Sequence, residues 1–466
     1  MAGIGFRLKR LIAEESYGGW LRAHIYGAVV SSGPWLLSVF TLAALALLSR
    51  DILQDRALDV FRSIVIYCYT FSLITTGGVQ MVVTRHVADA LYLGDESALA
   101  GAFRWTIGAT ALAHLLLAGL FFGLAPELGL LERIAAVLLF VVVGCIWIAM
   151  IFLGAAQDYA SVIRAFLVGS ALSVGGALLL GTLRGAGGYL AGFVLGQAVI
   201  FFWLAARIER EFSGAGRPES RLLLRSFRRY ADLALAGLFY NVAIAADRII
   251  FWASPVGVPV GSWLYASLYD TPLFLAYLSV VPSLSFFLVS IETEFYGRYR
   301  QYYGVVTKHG TLRQVLEAKR AMGAVLRDSL RRLLLLQAPV TLLLMIAAPW
   351  VAAAMGMSRI QVGILRAALV GAALHALALF GIIVLLYFDR RRAAVEVTLL
   401  FLAGNVLLTL ATLALGPGFY GFGYPLAALL ACGLAYWRLE ATFDDLEYLT
   451  FASQPMSPDP DFATPR

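Results

Sequence analysis

Between about residue 24 and residue 438 the chain runs in apolar stretches of roughly 18 to 25 residues, each ended by a short polar or basic break. A hydrocarbon core about 30 Å thick needs about 20 helical residues. Each stretch therefore predicts one crossing. Twelve are predicted: 24–48, 60–84, 101–124, 133–155, 163–183, 186–207, 230–253, 270–291, 333–355, 362–387, 394–415 and 419–438. The fold class is all-α integral membrane, with twelve transmembrane helices. The longest polar break in the first two-thirds, 208–229, contains a linker-like Ser-Gly-Ala-Gly-Arg-Pro-Glu-Ser. It divides the spans into two sets of six with a similar loop rhythm, which predicts two six-helix lobes, 24–207 and 230–438. Residues 1–23 are expected to hold an interfacial helix over 5–16, where apolar and basic residues mix. Residues 439–466 form a tail expected to be disordered from about 454.

Charge orients the bundle. Of 36 Lys and Arg, 28 fall in the breaks on one side, six fall on the other, and Arg62 and Arg248 fall in or at the edge of helices. Basic residues are retained on the cytoplasmic side. The expected arrangement is a multi-pass protein of the bacterial inner membrane with both termini cytoplasmic. Hydrophobic residues make up 61% and charged residues 14%, against about 25% charged in soluble domains. The net charge of +7 is thus read as topology, and no nucleic-acid partner is expected.

The largest polar piece is 293–332, which carries nine basic and two acidic residues between 298 and 332. Thr311 and Gln314 have the spacing of a capping box. Leu312, Val315, Leu316, Met322, Val325, Leu326 and Leu330 then recur at helical spacing. A basic amphipathic helix along the anionic cytoplasmic leaflet accounts for this. The alternative is a partner surface. Either use falls on Arg313, Lys319, Arg320 and Arg327.

Little of the chain resembles a catalyst. There is no P-loop, no HExxH and no GxSxG. Cys68, Cys145 and Cys432 lie far apart in predicted spans without a Cys/His cluster, so neither a metal nor another cofactor is expected, and the predicted outer loops are short for an enzyme. Polar groups at membrane depth are costly facing lipid and so should face protein or water. Asn241, Asp247 and Arg248 on the seventh span are the leading candidates. Asp247 and Arg248 are adjacent and diverge by about 100° on a helix, so one is expected to line a cavity and the other to pair with a neighbouring helix. A structural ion pair is the competing reading. Asp59 and Arg62 can pair locally at the mouth of the second span, and Asp270 sits at the mouth of the eighth. Tyr67, Tyr69, Tyr265, Tyr269, Phe274 and Tyr277 either form interface belt or line a sugar path. The candidate pathway is Asp247, Arg248, Asn241, Arg62, Asp59, Asp270, Tyr67 and Tyr277. His114 and His375 read as buried, hydrogen-bonded imidazoles rather than a proton relay. Gly188, Gly192 and Gly196 predict close helix packing within one lobe, while Pro34, Pro282 and Pro339 predict kinks.

Met-Ala-Gly-Ile-Gly-Phe-Arg-Leu at 1–8 and Ser31-Ser32-Gly33-Pro34-Trp35 in the first span resemble the PelG family. The resemblance implies a fold like the MOP flippase superfamily, with two six-helix lobes around a central cavity. It also implies a cationic, amino-sugar-rich exopolysaccharide chain as cargo in biofilm matrix export. The implied partners are a cytoplasmic glycosyltransferase and membrane components of a synthase complex that sense cyclic di-GMP. No functional residue carries over from it. The competing transport reading is a cation-coupled exporter of small molecules or lipid-linked oligosaccharides; the absence of any acid in 24–48 counts against cation coupling. A scaffold that docks a polysaccharide synthase is a further alternative.

Overall fold

The computed structural model describes residues 33–34, 36–45, 47–48, 55–95, 97–156, 158–212 and 220–452. The expected helix at 5–16, the motif at 1–8, most of the Ser31–Trp35 motif, the linker-like core and the tail from 454 lie outside them. Among the described residues ten helices are long and apolar enough to cross a membrane. The helices are α1 (Leu36–Leu45), α2 (Asp55–Leu93), α3 (Ser97–Gly123), α4 (Leu130–Ala156), α5 (Tyr159–Glu211), α6 (Ser220–Arg229), α7 (Ala231–Trp252), α8 (Ser267–Leu278), α9 (Val281–Ser290), α10 (Tyr296–Thr307), α11 (Leu312–Ala354), α12 (Arg359–Tyr387), α13 (Arg391–Ala414), α14 (Gly423–Asp444) and α15 (Leu446–Phe451). Helix α4 packs on α2, α3 and α5; α12 packs on α8, α11 and α14; α13 packs on α7 and α14; and α2 crosses α7.

Helix α5 accounts for the fifth and sixth predicted spans. Its 53 residues turn back at Gly185, whose φ of 62° and ψ of −146° suit a residue without a Cβ. Beyond the turn Gly188 meets the Leu180 carbonyl, Gly192 meets the Gly176 backbone, and Gly196 meets Ser173 and Gly169. Small residues let two membrane helices approach this closely. The glycine stripe predicted to pack within one lobe is thus the seam of a helical hairpin. Ser173 Oγ donates to the Phe193 carbonyl at 3.1 Å, and Gln197 Nε2 donates to Ser173 Oγ at 3.1 Å.

A second close crossing joins α2 to α7. A Cβ on Gly78 would lie 2.8 Å from the Ala234 carbonyl oxygen, and one on Gly237 would strike the Gly77 carbonyl.

Several expectations are corrected. The 208–229 segment is not all linker: α6 occupies its second part, and Leu223 is buried at the junction with α2 and α3. The eighth span is one candidate crossing, Ser267–Phe287, and it is interrupted after Leu278, with Pro282, predicted to kink it, at the second position of α9. The basic segment does not lie flat as a separate helix. Leu312–Arg332 runs unbroken through Pro339 into the ninth span as α11, 43 residues long. At 1.5 Å per residue that is about 65 Å, about twice the hydrocarbon thickness. The expected capping box forms, with Gln314 Oε1 accepting from the Thr311 amide at 2.9 Å. The apolar stripe is covered by protein: Val315, Met322 and Leu326 are buried with Tyr302 of α10 and Leu446 of α15 in one core. The first part of the 439–466 tail is therefore folded, in α14 and α15.

Between α7 and α8 a two-stranded hairpin was not predicted. Its strands β1 (Val258–Val260) and β2 (Trp263–Tyr265) pair antiparallel, Val260 opposite Trp263. Gly261 has φ of 62°, as a two-residue turn beginning with glycine requires.

Candidate functional site: a polar cluster and the cavity beside it

Helix α7 carries an acid and a base at adjacent positions, and their side chains separate. Asp247 is fully buried and accepts from Tyr269 Oη of α8 at 2.6 Å. Arg248 turns the other way and lines a cavity of about 170 Å³. Its Nη2 donates to the Ile244 carbonyl at 3.3 Å, and its guanidinium carbon sits 6.0 Å from the Tyr277 ring centroid. Asp270 accepts from Trp252 Nε1 at 2.7 Å. Among the described residues six buried side-chain polar atoms lack a hydrogen bond, and four of them lie here: Asp247 Oδ1, Arg248 Nε, Asp270 Oδ1 and Tyr277 Oη. Each such group costs about 1–3 kcal/mol when left dry. They concentrate on two adjoining helices, α7 and α8.

The other wall of the cavity comes from the first part of the chain. Ser38, Tyr69, Thr70, Trp147 and Gln197 supply its polar atoms. Tyr69 Oη donates to Gln197 Oε1 at 3.0 Å, and Trp147 Nε1 donates to Ser72 Oγ at 3.2 Å. Arg248 and Phe274 are the residues of the second part that reach the cavity. Tyr69 and Phe274 were among the aromatic candidates. Gln197, Trp147, Thr70 and Ser38 were missed; a lone amide in an apolar span was the available signal for Gln197.

The remaining candidates fall elsewhere. Asn241 donates to the Gly237 carbonyl at 2.9 Å and abuts Gly77, so it belongs to the α2–α7 crossing. Asp59 and Arg62 pair with each other at 3.4 Å in exposed positions. Tyr67 joins the cluster indirectly. It stacks on Trp252 at 4.8 Å between centroids, and its Oη donates to the Leu264 carbonyl at 2.8 Å. Both predicted buried histidines are fully partnered: His114 by Thr110 and Thr75, His375 by Tyr240 and Tyr424. Of the basic candidates, Arg313 pairs with Glu317 at 3.0 Å and Lys319 with Glu447 at 2.5 Å. Lys319 is therefore engaged in holding α15 to α11.

At the end bearing the basic loops, the two parts of the chain are joined by charge. Arg85 of α2 reaches Asp89 at 3.0 Å and Asp389 at 3.6 Å. Tyr230 Oη donates to Asp89 at 2.7 Å. Burial and that bond to a carboxylate raise the phenol above its ordinary pKa. Arg391 completes the group, 3.3 Å from Asp389 and 3.2 Å from Asp232. At the opposite end the β1–β2 hairpin packs on the first part through Trp263, which meets Tyr67 and Phe122.

Comparison with known proteins bears on this architecture. The family model PelG, described as "Putative exopolysaccharide Exporter (EPS-E)", matches residues 1–451. No curated protein matches the sequence. Solved structures share the fold at low identity. A MATE protein in complex with MaL6 has a TM-score of 0.65 at 12% identity, covering 91% of this chain and 97% of its own. A MOP superfamily transporter from Pyrococcus furiosus, reported with reversed polarity of its binding pocket, has a TM-score of 0.62 at 13% identity, covering 90% and 96%. An outward-facing multidrug resistance MATE transporter of the same superfamily has a TM-score of 0.61 at 14% identity, covering 90% and 96%.

Proposed function

The chain belongs to the PelG family of exopolysaccharide exporters, and from that premise we propose that it passes an amino-sugar-rich exopolysaccharide across the bacterial inner membrane during biofilm matrix export. It is a membrane transporter and not an enzyme. In this reading two six-helix lobes, with twelve crossings and cytoplasmic termini, meet along the cavity. The basic-loop face is cytoplasmic, where a glycosyltransferase and other synthase components deliver the chain.

The observation that carries the reading is the set of four unbonded buried polar atoms on α7 and α8, beside a cavity walled by both parts of the chain. Arg248 lines the cavity, where a sugar hydroxyl supplies the acceptor its Nε lacks, while Asp247 and Asp270 lie behind it, outside the lining. Asp247 and Asp270 attract a cationic amino sugar, and Arg248 keeps the attraction shallow. A cavity of about 170 Å³ is smaller than the roughly 300–1,000 Å³ of ordinary ligand sites. Passage therefore requires the lobes to separate at one end, and the charge cluster and the hairpin are the two closures that must alternate.

The test is export of polymer by cells carrying Arg248→Gln or Asp247→Asn, read against the amount of protein in the membrane. Export lost at near-normal abundance supports the pathway. Unchanged export in both variants sinks it, and collapse of abundance assigns the pair to the fold. The small cavity favours one other reading, a small-molecule exporter. Export of a small dye or drug by the purified chain in vesicles, with no effect on polymer, would establish that instead.

A further inference from the structure

Away from the interlobe cavity, the two arms of the α5 hairpin border, at their ends remote from the Gly185 turn, an open recess of about 820 Å³. Arg164 stands on one arm and Arg207 and Arg210 on the other, with Trp203 one turn inward from Arg207. The three arginines differ in how they are held. Arg207 is committed, with Asp158 at 2.5 Å and Glu211 at 2.8 Å. Asp158 also accepts from the Ser161 amide and hydroxyl. Burial pushes its carboxyl up, but the bonds from Arg207 and Ser161 outweigh this and leave it below its ordinary value. Among the described residues Arg164 bonds to neutral groups, the Ser161 hydroxyl at 3.1 Å and the Ala160 carbonyl at 3.3 Å. Arg210 has no bonded partner among the described residues, and both Arg164 and Arg210 are exposed. Among the described residues, no carboxylate pairs with Arg164 or Arg210, so the recess offers two guanidinium groups without an ionic partner there.

Its surroundings are apolar. Leu167, Leu172 and Phe202 on the two arms are 50%, 47% and 66% exposed, so this flank of α5 faces lipid. Trp203, 39% exposed, is the residue type that sits at headgroup level. A cationic recess bounded by tryptophan and opening onto an apolar helix flank matches an amphiphile with an anionic head. We propose that the recess holds the phosphate of an anionic glycerophospholipid, with Arg164 and Arg210 on the headgroup and the acyl chains along the flank of α5. The site is independent of the cargo. It would fix the outer arm pair of the first lobe against the bilayer while the lobes move.

The experiment uses the full chain purified in neutral detergent. Native mass spectrometry is run with added phosphatidylglycerol or phosphatidylcholine at equal concentration. The expected result is one retained phosphatidylglycerol and little phosphatidylcholine. The double variant Arg164→Gln/Arg210→Gln should bind phosphatidylglycerol about tenfold more weakly or worse, and Arg164→Lys/Arg210→Lys should recover part of it. Neutralising Arg390→Gln/Arg392→Gln, also on the basic-loop face, should leave retention unchanged. The wild-type comparison of the two lipids needs no variant, so misfolding of the double variant would not shield the proposal. Equal retention of both lipids by the wild type would overturn it. So would full retention of phosphatidylglycerol by the double variant, or displacement of the lipid by millimolar inorganic phosphate, which would mark a free-anion site.

Discussion

The two ends of the junction between the first and second parts of the chain are closed by different chemistry. At the basic-loop end the closure is ionic: Arg85, Asp89, Asp389, Arg391 and Asp232 bond around Tyr230, with side chains between 26% and 49% exposed. At the other end it is aromatic and buried: Tyr67, Trp252, Trp263 and Phe122 pack with exposures of 9% or less. Exposed ion pairs contribute about 0–1 kcal/mol each because water competes for both partners. A buried indole is worth several times that. The ionic end is therefore the cheaper one to open and reclose, and the aromatic end is the more durable. Under the function proposed above, in which cargo enters at the basic-loop face, the easier opening falls on the receiving side.

The strongest way to break the comparison is Trp252→Ala. It removes a side chain only 3% exposed, ends the stack on Tyr67 and strips Asp270 of its 2.7 Å donor. Core losses of this size cost about 3–5 kcal/mol. Thermal unfolding of the purified chain should shift down by many degrees, with reduced abundance in cells. A shift no larger than that of a surface variant would show that the aromatic end does not hold the two parts of the chain together.

Next comes Gly237→Val, at the crossing shared by both closures. The added branch has nowhere to go, since the Gly77 carbonyl and the Met81 side chain already fill the space. Overpacking costs about 1–3 kcal/mol, and both ends should loosen together. Gly175→Ala, which meets nothing within 4 Å, is the control and should be silent on the same melting curve.

Smaller still is Arg85→Gln. It should lower stability by about 1 kcal/mol or less. Its signature is salt: added chloride should lower the melting temperature of the wild type more than that of the variant, because the screened pairs are already gone. Equal salt sensitivity in both would remove the ionic closure from the account.

How much of this was legible in sequence depends on the kind of signal. Hydrophobic stretches report burial from water, so the helical spans could be read one at a time, and local spacing gave the Thr311–Gln314 cap and the Gly188–Gly196 stripe. The divergence of Asp247 and Arg248 also followed from helix geometry alone. Facing relations did not. An apolar stripe looks the same whether lipid or protein covers it, so Val315, Met322 and Leu326 were assigned to the bilayer when Tyr302 and Leu446 cover them. Gln197 and Trp147 became cavity residues only once the α5 hairpin and α4 were placed around α2. Arg85 and Arg391 enter the sequence reading only as basic charges that set orientation, and Asp389 has no part in that count, so their mutual bonding stays hidden. The hairpin is carried by Val-Pro-Val-Gly-Ser-Trp-Leu-Tyr, a two-residue glycine turn between β-formers, a signal too short to register in a pattern read span by span.

The finest test of the comparison is Tyr67→Phe. The phenol donates to the Leu264 carbonyl at 2.8 Å and accepts from the Leu264 amide at 3.3 Å, so one oxygen pins the β2 strand to α2 from both sides. Removing it leaves the ring on Trp252 and the bulk of the contact intact. The hairpin edge is partly exposed, and water can replace the lost bonds, so the cost should be about 0.5 kcal/mol, the low end for a hydrogen bond. Melting will scarcely resolve that, but amide hydrogen exchange will. Residues 258–265 should exchange faster in the variant while 385–392, at the ionic end, keep the wild-type rate. That outcome means the two closures open separately. Faster exchange at both ends would mean that they share one opening, and the division into a cheap end and a durable end would then have to be given up.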